Sequence, residues 1–135
     1  MQPIAVYDTN VLISGMMWGG VPYRCIELAQ QGKVQGVTCD EILNEFTEKL
    51  TTKFDYSLYQ VSEIIAKLLG FFRTVKITNS LKGVTSDLDD DKVIECAVVG
   101  GATHIITGDQ KHLLPLKSYQ GILIVRPAIF LAHFQ

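Results

Sequence analysis

One segment in the second half of the chain, from Thr85 to Asp109, constrains the fold most strongly. It opens with four aspartates within five residues, over positions 87–91. The apolar residues that follow recur at the spacing of one buried helix face: Val93, Ile94, Ala97 and Val98. A glycine pair then predicts the end of the helix, and residues 103–107 predict a short buried strand. In an open parallel α/β sheet, a helix start and a strand end of this kind lie on the same edge, where ligands usually bind.

These acidic residues also have an ordinary structural explanation. Aspartate at a helix start accepts hydrogen bonds from free N–H groups and complements the helix dipole. Asp109, in the sequence G-D-Q-K, suits a turn. Capping requires one or two aspartates, and this helix start has four. On this segment alone, capping with a turn and a metal or acid site remain equally open.

The composition favours a single compact α/β domain over residues 1–135. Hydrophobic residues make up 47% of the chain and charged residues 19%, and a chain of this length buries roughly 68% of its unfolded surface. The formal net charge is −2, which gives no general attraction to a polyanion. A nucleic-acid substrate would therefore require metal ions or a local basic patch.

The cysteines and the hydropathy pattern favour a soluble, cytoplasmic protein. Cys25, Cys39 and Cys96 lie far apart without a C-x-x-C pair, and the histidines do not have zinc-ligand spacing. We therefore expect buried free thiols in a reducing compartment. The N-terminus lacks a signal-peptide pattern, and no apolar run reaches the roughly 18–20 residues needed to span a bilayer.

Strand-like and helix-like segments alternate along the chain in the order β-α-α-β-α-α-β-α-β-β-α. Strands are predicted over residues 3–7, 33–38, 73–77, 103–107 and 122–125. A single helical turn is expected to end at Gly15, and longer helices over 22–31 and 57–72, the latter capped by Ser57. Thr38 with Glu41 resembles a capping box. This order predicts an α/β fold, with a three-layer α/β/α arrangement around a mainly parallel sheet of about five strands.

Four carboxylates from distant segments are predicted to meet at one edge of this sheet. Asp8 and Asp109 follow strands, Asp90 or Asp91 begins a helix, and Glu45 lies at the border of an apolar helix stripe. Glutamate on a helix is more often a solvated surface residue. Like charges raise one another's pKa, so a hard divalent cation is the natural counter-charge. Such ions can activate water for phosphodiester hydrolysis.

Four sequence motifs in this order resemble the PIN domain family, in particular its VapC-like toxins. They are V-Y-D-T-N-V-L, D-E-I-L-N-E-F-T-E-K-L, D-L-D-D-D-K-V-I-E-C-A followed by G-G-A-T-H-I-I-T-G-D, and R-P-A-I-F-L. The resemblance extends over nearly the whole chain. It implies a five-stranded parallel sheet and a Mg²⁺- or Mn²⁺-dependent endoribonuclease that cleaves RNA. It also implies a homodimer and an antitoxin protein encoded beside the toxin.

The resemblance assigns roles to individual residues. The catalytic and metal-binding acids that it implies are Asp8, Glu45, Asp90 and Asp109. Asp91 is the alternative third metal ligand, because it stands where this branch of the family often has asparagine. Three residues support the acids: Thr9 and Asn10 match the pair that braces the first acid, and Thr107 matches the hydroxyl residue before the last one.

Two other functions compete with this prediction. The segment from Asp8 to Leu12 resembles the nucleophile loop of haloacid-dehalogenase-like phosphatases, but Asn10 stands where that loop has its second acid. A non-catalytic binding domain, either PIN-like or receiver-like, is the other alternative; a receiver would need an acid beside Asp8. If RNA is the substrate, the local basic residues nearest the acids in sequence are Lys49, Lys53, Lys92 and Lys111.

Overall fold

The computed structural model describes residues 2–134, which form a six-stranded sheet and six α-helices. The strands are β1 (Ile4–Tyr7), β2 (Gln35–Cys39), β3 (Phe72–Val75), β4 (His104–Ile106), β5 (Ser118–Tyr119) and β6 (Ile122–Val125). The helices are α1 (Thr9–Trp18), α2 (Gly20–Gln30), α3 (Asp40–Lys53), α4 (Leu58–Leu69), α5 (Leu88–Val99) and α6 (Pro127–Ala132). Within this part of the chain, no helix combines the length and the apolar content that a membrane span requires.

The strand order in the sheet is β3-β2-β1-β4-β6-β5, and every pairing is parallel except that of β5 with β6. The predicted α/β class and mainly parallel sheet are confirmed. All five predicted strands are present, with ends that differ by at most two residues. The additional strand, β5, forms a hairpin through Gln120 and Gly121, whose φ angles of 48° and 83° suit a tight hairpin turn.

Helix α1 is longer than predicted, because Gly15 lies inside it instead of ending it. A Cβ at this position would stand 2.6 Å from Ile26 Cδ1 and 3.0 Å from the backbone nitrogen of Tyr23. Gly15 therefore permits a close approach of α1 to α2. The helix ends at Gly19, whose φ of 75° is the left-handed conformation that glycine adopts readily.

The two predicted helix caps have different outcomes. The cap of α4 is confirmed, since the Ser57 side chain accepts a hydrogen bond from the Gln60 backbone and the Gln60 side chain accepts one from the Ser57 backbone. The capping box from Thr38 to Glu41 is wrong. Thr38 still belongs to β2, and Cys39 occupies the N-cap of α3. Glu41 instead accepts a hydrogen bond from the Asn79 side-chain amide.

Helix α5 packs against the central strands β1, β2 and β4. Three of its four predicted apolar positions are buried, while Val98 is 42% exposed. All three cysteines are buried and unpaired, as predicted. Helix α4 is only partly buried: Val61 and Leu68 are its buried residues, whereas Leu58 and Leu69 are exposed.

The sheet has its switch point between β1 and β4. From β1 the chain continues to β2 and β3 on one side, and it returns to β4 on the other side. Parallel strands on either side of such a point leave a crevice at their carboxyl ends. Asp8 follows β1 directly and Asp109 lies three residues beyond β4, so the fold places both at this crevice.

Candidate metal centre

A cavity of about 470 Å³ opens at the carboxyl ends of β1 and β4. Its polar lining is dominated by acids and also contains an amide, a lysine and a histidine. With the hydroxyl of Ser14, the polar lining residues are Asp8, Asn10, Glu45, Lys49, Asp87, Asp89, Asp90, Asp109 and His112. The structure thus brings together the four acids singled out from the sequence, which come from four separate parts of the chain.

Thr107 connects the first acid to the last. Its hydroxyl donates a hydrogen bond of 2.7 Å to Asp8 Oδ2 and accepts one of 3.0 Å from the backbone N–H of Asp109. Asp8 is only 6% exposed. Burial raises the pKa of Asp8, the Thr107 hydrogen bond lowers it, and the Glu45 charge raises it, with a net upward shift. The Thr107 bond nevertheless holds the carboxylate in one orientation.

Asp109 is both a turn residue and a member of the acidic cavity. Its carboxylate accepts hydrogen bonds from the backbone N–H groups of Lys111, His112 and Leu113, at 3.0–3.2 Å. Burial acts to raise the pKa of Asp109, but these donors outweigh it and hold the pKa below its ordinary value. The turn explanation and the site explanation therefore apply to the same residue, which is ionised at neutral pH.

The N-terminus of α5 divides its aspartates between two roles. Asp87 is the N-cap, and its Oδ1 accepts hydrogen bonds from the backbone N–H groups of Asp89 and Asp90. Asp90 faces the cavity with a side chain that is 16% exposed. Burial, followed by the negative charges of Asp109, Asp87 and Asp8, raises the pKa of Asp90 to about 7. The cavity thus carries negative charge that its own residues do not neutralise.

Asp91, the alternative third ligand, does not line this cavity, and we correct that assignment. It is 1% exposed and directed into the loop that precedes α5. Its Oδ2 accepts a hydrogen bond from Gly83 N–H, and its Oδ1 accepts bonds from the N–H and hydroxyl of Thr85. Both oxygens are therefore occupied in holding the loop, so Asp91 has a structural role.

Helix α3 contributes an acidic and a basic side chain to the cavity. Glu45 Oε1 lies 3.2 Å from Lys49 Nζ, one helical turn away. Lys49 also donates a hydrogen bond of 3.1 Å to Asn10 Oδ1. Asn10 thus contacts Lys49 and makes no side-chain hydrogen bond to Asp8 within the described residues. Thr9 assists Asp8 through its backbone N–H, which favours the ionised carboxylate.

The predicted basic patch reduces to a single residue at the cavity. Lys49 lines it, whereas the other three lysines do not. Lys92 instead lies 3.8 Å from Asp89 in an exposed pair. A charge pair of this kind on the surface contributes little to stability or to recognition.

Sequence reasoning missed His112, which lies inside the acidic cluster. Its Nδ1 is 2.9 Å from Asp90 Oδ2 and 3.7 Å from Asp109 Oδ2. The D-x-x-H spacing from Asp109 was a signal that was available, because residues three apart in a helical turn face the same side. The residues Asp87, Asp90 and His112 each offer a ligand atom, and these atoms lie within 4.8 Å of one another.

The donor set suits a divalent cation. Carboxylate oxygens are the ligands that Mg²⁺ and Mn²⁺ prefer in proteins. Burial and then repulsion from the neighbouring acids raise the pKa of Asp90, and a bound cation would favour its ionised form. On the chemistry of its residues, the cavity therefore fits a divalent cation: Asp8, Glu45, Asp90 and Asp109 line it, and the ligand atoms that lie within 4.8 Å of one another belong to Asp87, Asp90 and His112.

Comparison with known proteins adds a family and a fold. A family model described as PIN domain matches residues 5–111 of the chain. The fold is similar to a crystal structure of VapBC2 from Rickettsia felis bound to a DNA fragment from their promoter, with a TM-score of 0.64. The match covers 90% of this chain and 96% of that chain at 15% identity, so it shows the fold alone. No curated protein matches the sequence significantly.

Proposed function

This chain belongs to the PIN domain family, and we propose that it acts as a metal-dependent endoribonuclease, the toxin of a toxin–antitoxin pair. The convergence of Asp8, Glu45, Asp90 and Asp109 on one cavity is the observation that carries the proposal. Burial first, and the charges of neighbouring acids second, raise the pKa of Asp8 and of Asp90, so the ionised form of each is disfavoured in the metal-free fold. Perturbed carboxylates in a cleft are typical of functional sites.

The four acids would hold Mg²⁺ or Mn²⁺ in this cavity. Such an ion, when bound, supplies a nucleophilic water at neutral pH and stabilises the leaving oxygen of a phosphodiester. The protein supplies orientation: Thr107 fixes Asp8, and the Asp109 turn fixes the last carboxylate. With a pKa of about 7, Asp90 is protonated in part of the molecules at neutral pH, and cation binding would release that proton.

The substrate we propose is RNA in a single-stranded or loop region. Asp8 lines the cavity and is only 6% exposed, so the scissile phosphate must enter the cavity beside it. An unpaired strand can bend to reach a buried carboxylate more easily than a duplex can. Lys49 is the basic residue on the cavity wall, and Asn10 holds its ammonium group in place. We expect this ammonium group to contact a backbone phosphate, because the net charge of −2 offers no general attraction.

Substitution of Asp8 tests the catalytic proposal. Asp8→Asn should abolish Mn²⁺-dependent cleavage of a mixed RNA pool while thermal unfolding stays cooperative. Asp40→Asn is the matched control, because Asp40 is an exposed aspartate at the start of α3 that does not line the cavity. Equal cleavage by the wild-type protein and Asp8→Asn would refute the assignment of the acids.

The alternatives predict different outcomes in the same assay. A haloacid-dehalogenase-like phosphatase would need an acid at position 10, where Asn10 instead accepts a hydrogen bond from Lys49. Such an enzyme would release phosphate from small phosphomonoesters and leave RNA intact. A non-catalytic binding domain would retain RNA without cleaving it in the presence of either metal.

Exposed apolar side chains support the partners we propose, an antitoxin and a second copy of the chain. Trp18 is 66% exposed, and Leu58 and Tyr59 at the start of α4 are 71% and 73% exposed. Exposed apolar side chains that form a contiguous patch often mark protein interfaces, and Leu58 and Tyr59 are adjacent. Light scattering should give twice the 15.0 kDa chain mass for the free protein. Co-expression with the adjacent reading frame should give a larger complex. A monomer in both preparations would contradict this part of the proposal. We place the toxin and its antitoxin in the cytoplasm.

A further inference from the structure

The acidic cavity contains a group of ligands that the four-acid centre does not use in full. We propose that Asp87, Asp90 and His112 form a second divalent-cation site beside the first, and that its imidazole selects a transition-metal ion such as Mn²⁺ over Mg²⁺. The inference rests on the proposed function, because Asp90 belongs to both sites. It adds two residues, Asp87 and His112, that the motifs and the resemblance did not assign.

The spacing of the three side chains fits one ion. Two ligands at about 2.1 Å from an octahedral ion are separated by about 3.0 Å at adjacent vertices and by about 4.2 Å at opposite ones. His112 Nδ1 and Asp90 Oδ2 are 2.9 Å apart, which matches an adjacent pair. All three ligand atoms lie within 4.8 Å of one another. The side chains are partly exposed, so small rotations would bring them onto a single ion.

The backbone already positions each ligand for this role. Asp87 uses Oδ1 to cap α5, and Oδ2 makes no hydrogen bond within residues 2–134. The backbone N–H of His112 donates to Asp109 Oδ2, which fixes the residue in the Asp109 turn. Two separate elements, the start of α5 and this turn, therefore present the ligands.

The chemistry of the nitrogen determines which ion the site prefers. Imidazole is a good ligand for Mn²⁺, Fe²⁺ and Zn²⁺, whereas Mg²⁺ favours oxygen and retains its waters. The four-acid centre offers carboxylate oxygens throughout and so does not discriminate strongly between Mg²⁺ and Mn²⁺. The second site would favour Mn²⁺ over Mg²⁺, because the His112 Nδ1 atom would replace one oxygen ligand. In the alternative role, the His112 imidazole only contacts the carboxylates of Asp90 and Asp109 and binds no metal.

Mn²⁺ itself is the probe that separates these roles. The full chain would be freed of metal with a chelator, titrated with Mn²⁺ and studied by pulsed electron paramagnetic resonance. We expect two bound Mn²⁺ ions and a ¹⁴N coupling from the imidazole. His112→Gln should remove the coupling, leave one bound ion, and lower the Mn²⁺-to-Mg²⁺ affinity ratio at least about tenfold. His133→Asn, at an exposed histidine near the C-terminus, is the control and should keep the coupling.

Asp87→Asn provides an independent variant. Asparagine caps a helix as well as aspartate does, so α5 should keep its start while the site loses a charged ligand. We expect the second Mn²⁺ to bind at least about tenfold more weakly, with the first unaffected. This variant also tests the proposal if His112→Gln does not fold.

The outcomes distinguish this inference from the function on which it rests. One Mn²⁺ ion bound without ¹⁴N coupling would overturn the second site and leave the four-acid centre intact. Coupling that survives in His112→Gln, or equal loss of Mg²⁺ and Mn²⁺ affinity, would also overturn it. Failure of the wild-type protein to bind any Mn²⁺ would overturn the proposed function itself.

Discussion

Asp90 and Asp91 are adjacent residues with opposite surroundings. Asp90 faces other carboxylates across the cavity, and their charges together with burial raise its pKa to about 7. Asp91 is buried on the other side, where it accepts three hydrogen bonds from residues 83 and 85. At the residue scale, one acid is destabilised by its environment and available to a cation, and the other holds a loop in place.

This contrast predicts opposite effects for the same substitution at the two positions. Asp91→Asn should lower the free energy of unfolding by about 1–3 kcal/mol, because it weakens a buried, hydrogen-bonded carboxylate, and should leave Mn²⁺ binding nearly intact. Asp90→Asn should stabilise the metal-free protein, by relief of repulsion, and weaken Mn²⁺ binding. Urea unfolding and Mn²⁺ titration of both variants would measure this. Loss of Mn²⁺ binding in Asp91→Asn, with binding retained in Asp90→Asn, would make Asp91 the third ligand.

The choice between these two aspartates could not be made from the sequence. Asp8 and Asp109 were predictable, because residues after parallel strands reach the same edge of the sheet. Asp90 and Asp91 are about 100° apart on one helix, and what separates them is a tertiary contact with the loop at residues 83–85. The position of His112 depends on a tertiary contact in the same way: Asp109 is three residues away, but its nearer partner, Asp90, lies on α5.

At the scale of elements, the contact between α1 and α2 depends on the absence of a side chain at Gly15. The sequence suggested that this glycine would end the helix, as glycines commonly do. In the structure the helix continues, and the glycine instead makes room for Ile26 and the backbone of Tyr23. The position of a glycine in the sequence does not by itself show whether it ends a helix or allows two helices to pack closely. The strand positions were more predictable, because apolar runs report burial directly.

Gly15→Ala should therefore destabilise the protein, although alanine is the better helix former by about 1 kcal/mol. Overpacking should cost about 1–3 kcal/mol, measured by urea unfolding. Ile26→Val removes the Cδ1 atom that a new Cβ would contact at 2.6 Å. The double variant should therefore recover part of the loss. A Gly15→Ala variant as stable as the wild type would show that the two helices separate easily.

At the scale of the whole molecule, the crevice at the sheet edge concentrates negative charge, although the chain as a whole is nearly neutral. The pKa values of Asp8 and Asp90 are both higher in the fold than ordinary values. A raised pKa means that the folded chain binds the proton more tightly than the unfolded chain does. The corresponding stability is complete at low pH and is lost as the pH rises through the folded pKa.

The metal-free protein should accordingly become less stable between about pH 4 and pH 7, by about 2 kcal/mol after allowance for solvent screening. Saturating Mn²⁺ should remove this loss, because the cation replaces the proton. Thermal unfolding across this pH range, with a chelator or with Mn²⁺, would measure it. Asp90→Asn should show a flatter profile. A metal-free protein whose stability rises steadily over the same range would contradict the pKa shift of Asp90.

The hydroxyl of Thr107 has a consequence beyond holding one carboxylate. It ties the ends of two neighbouring strands together, since it donates to Asp8 and accepts from the backbone of Asp109. Together with the backbone donors that hold the Asp109 carboxylate, this link limits how far the two acids can move relative to each other. A metal site built in this way has little tolerance for a larger ion. We therefore expect it to bind Ca²⁺ more weakly than Mg²⁺ or Mn²⁺, which carry the same charge.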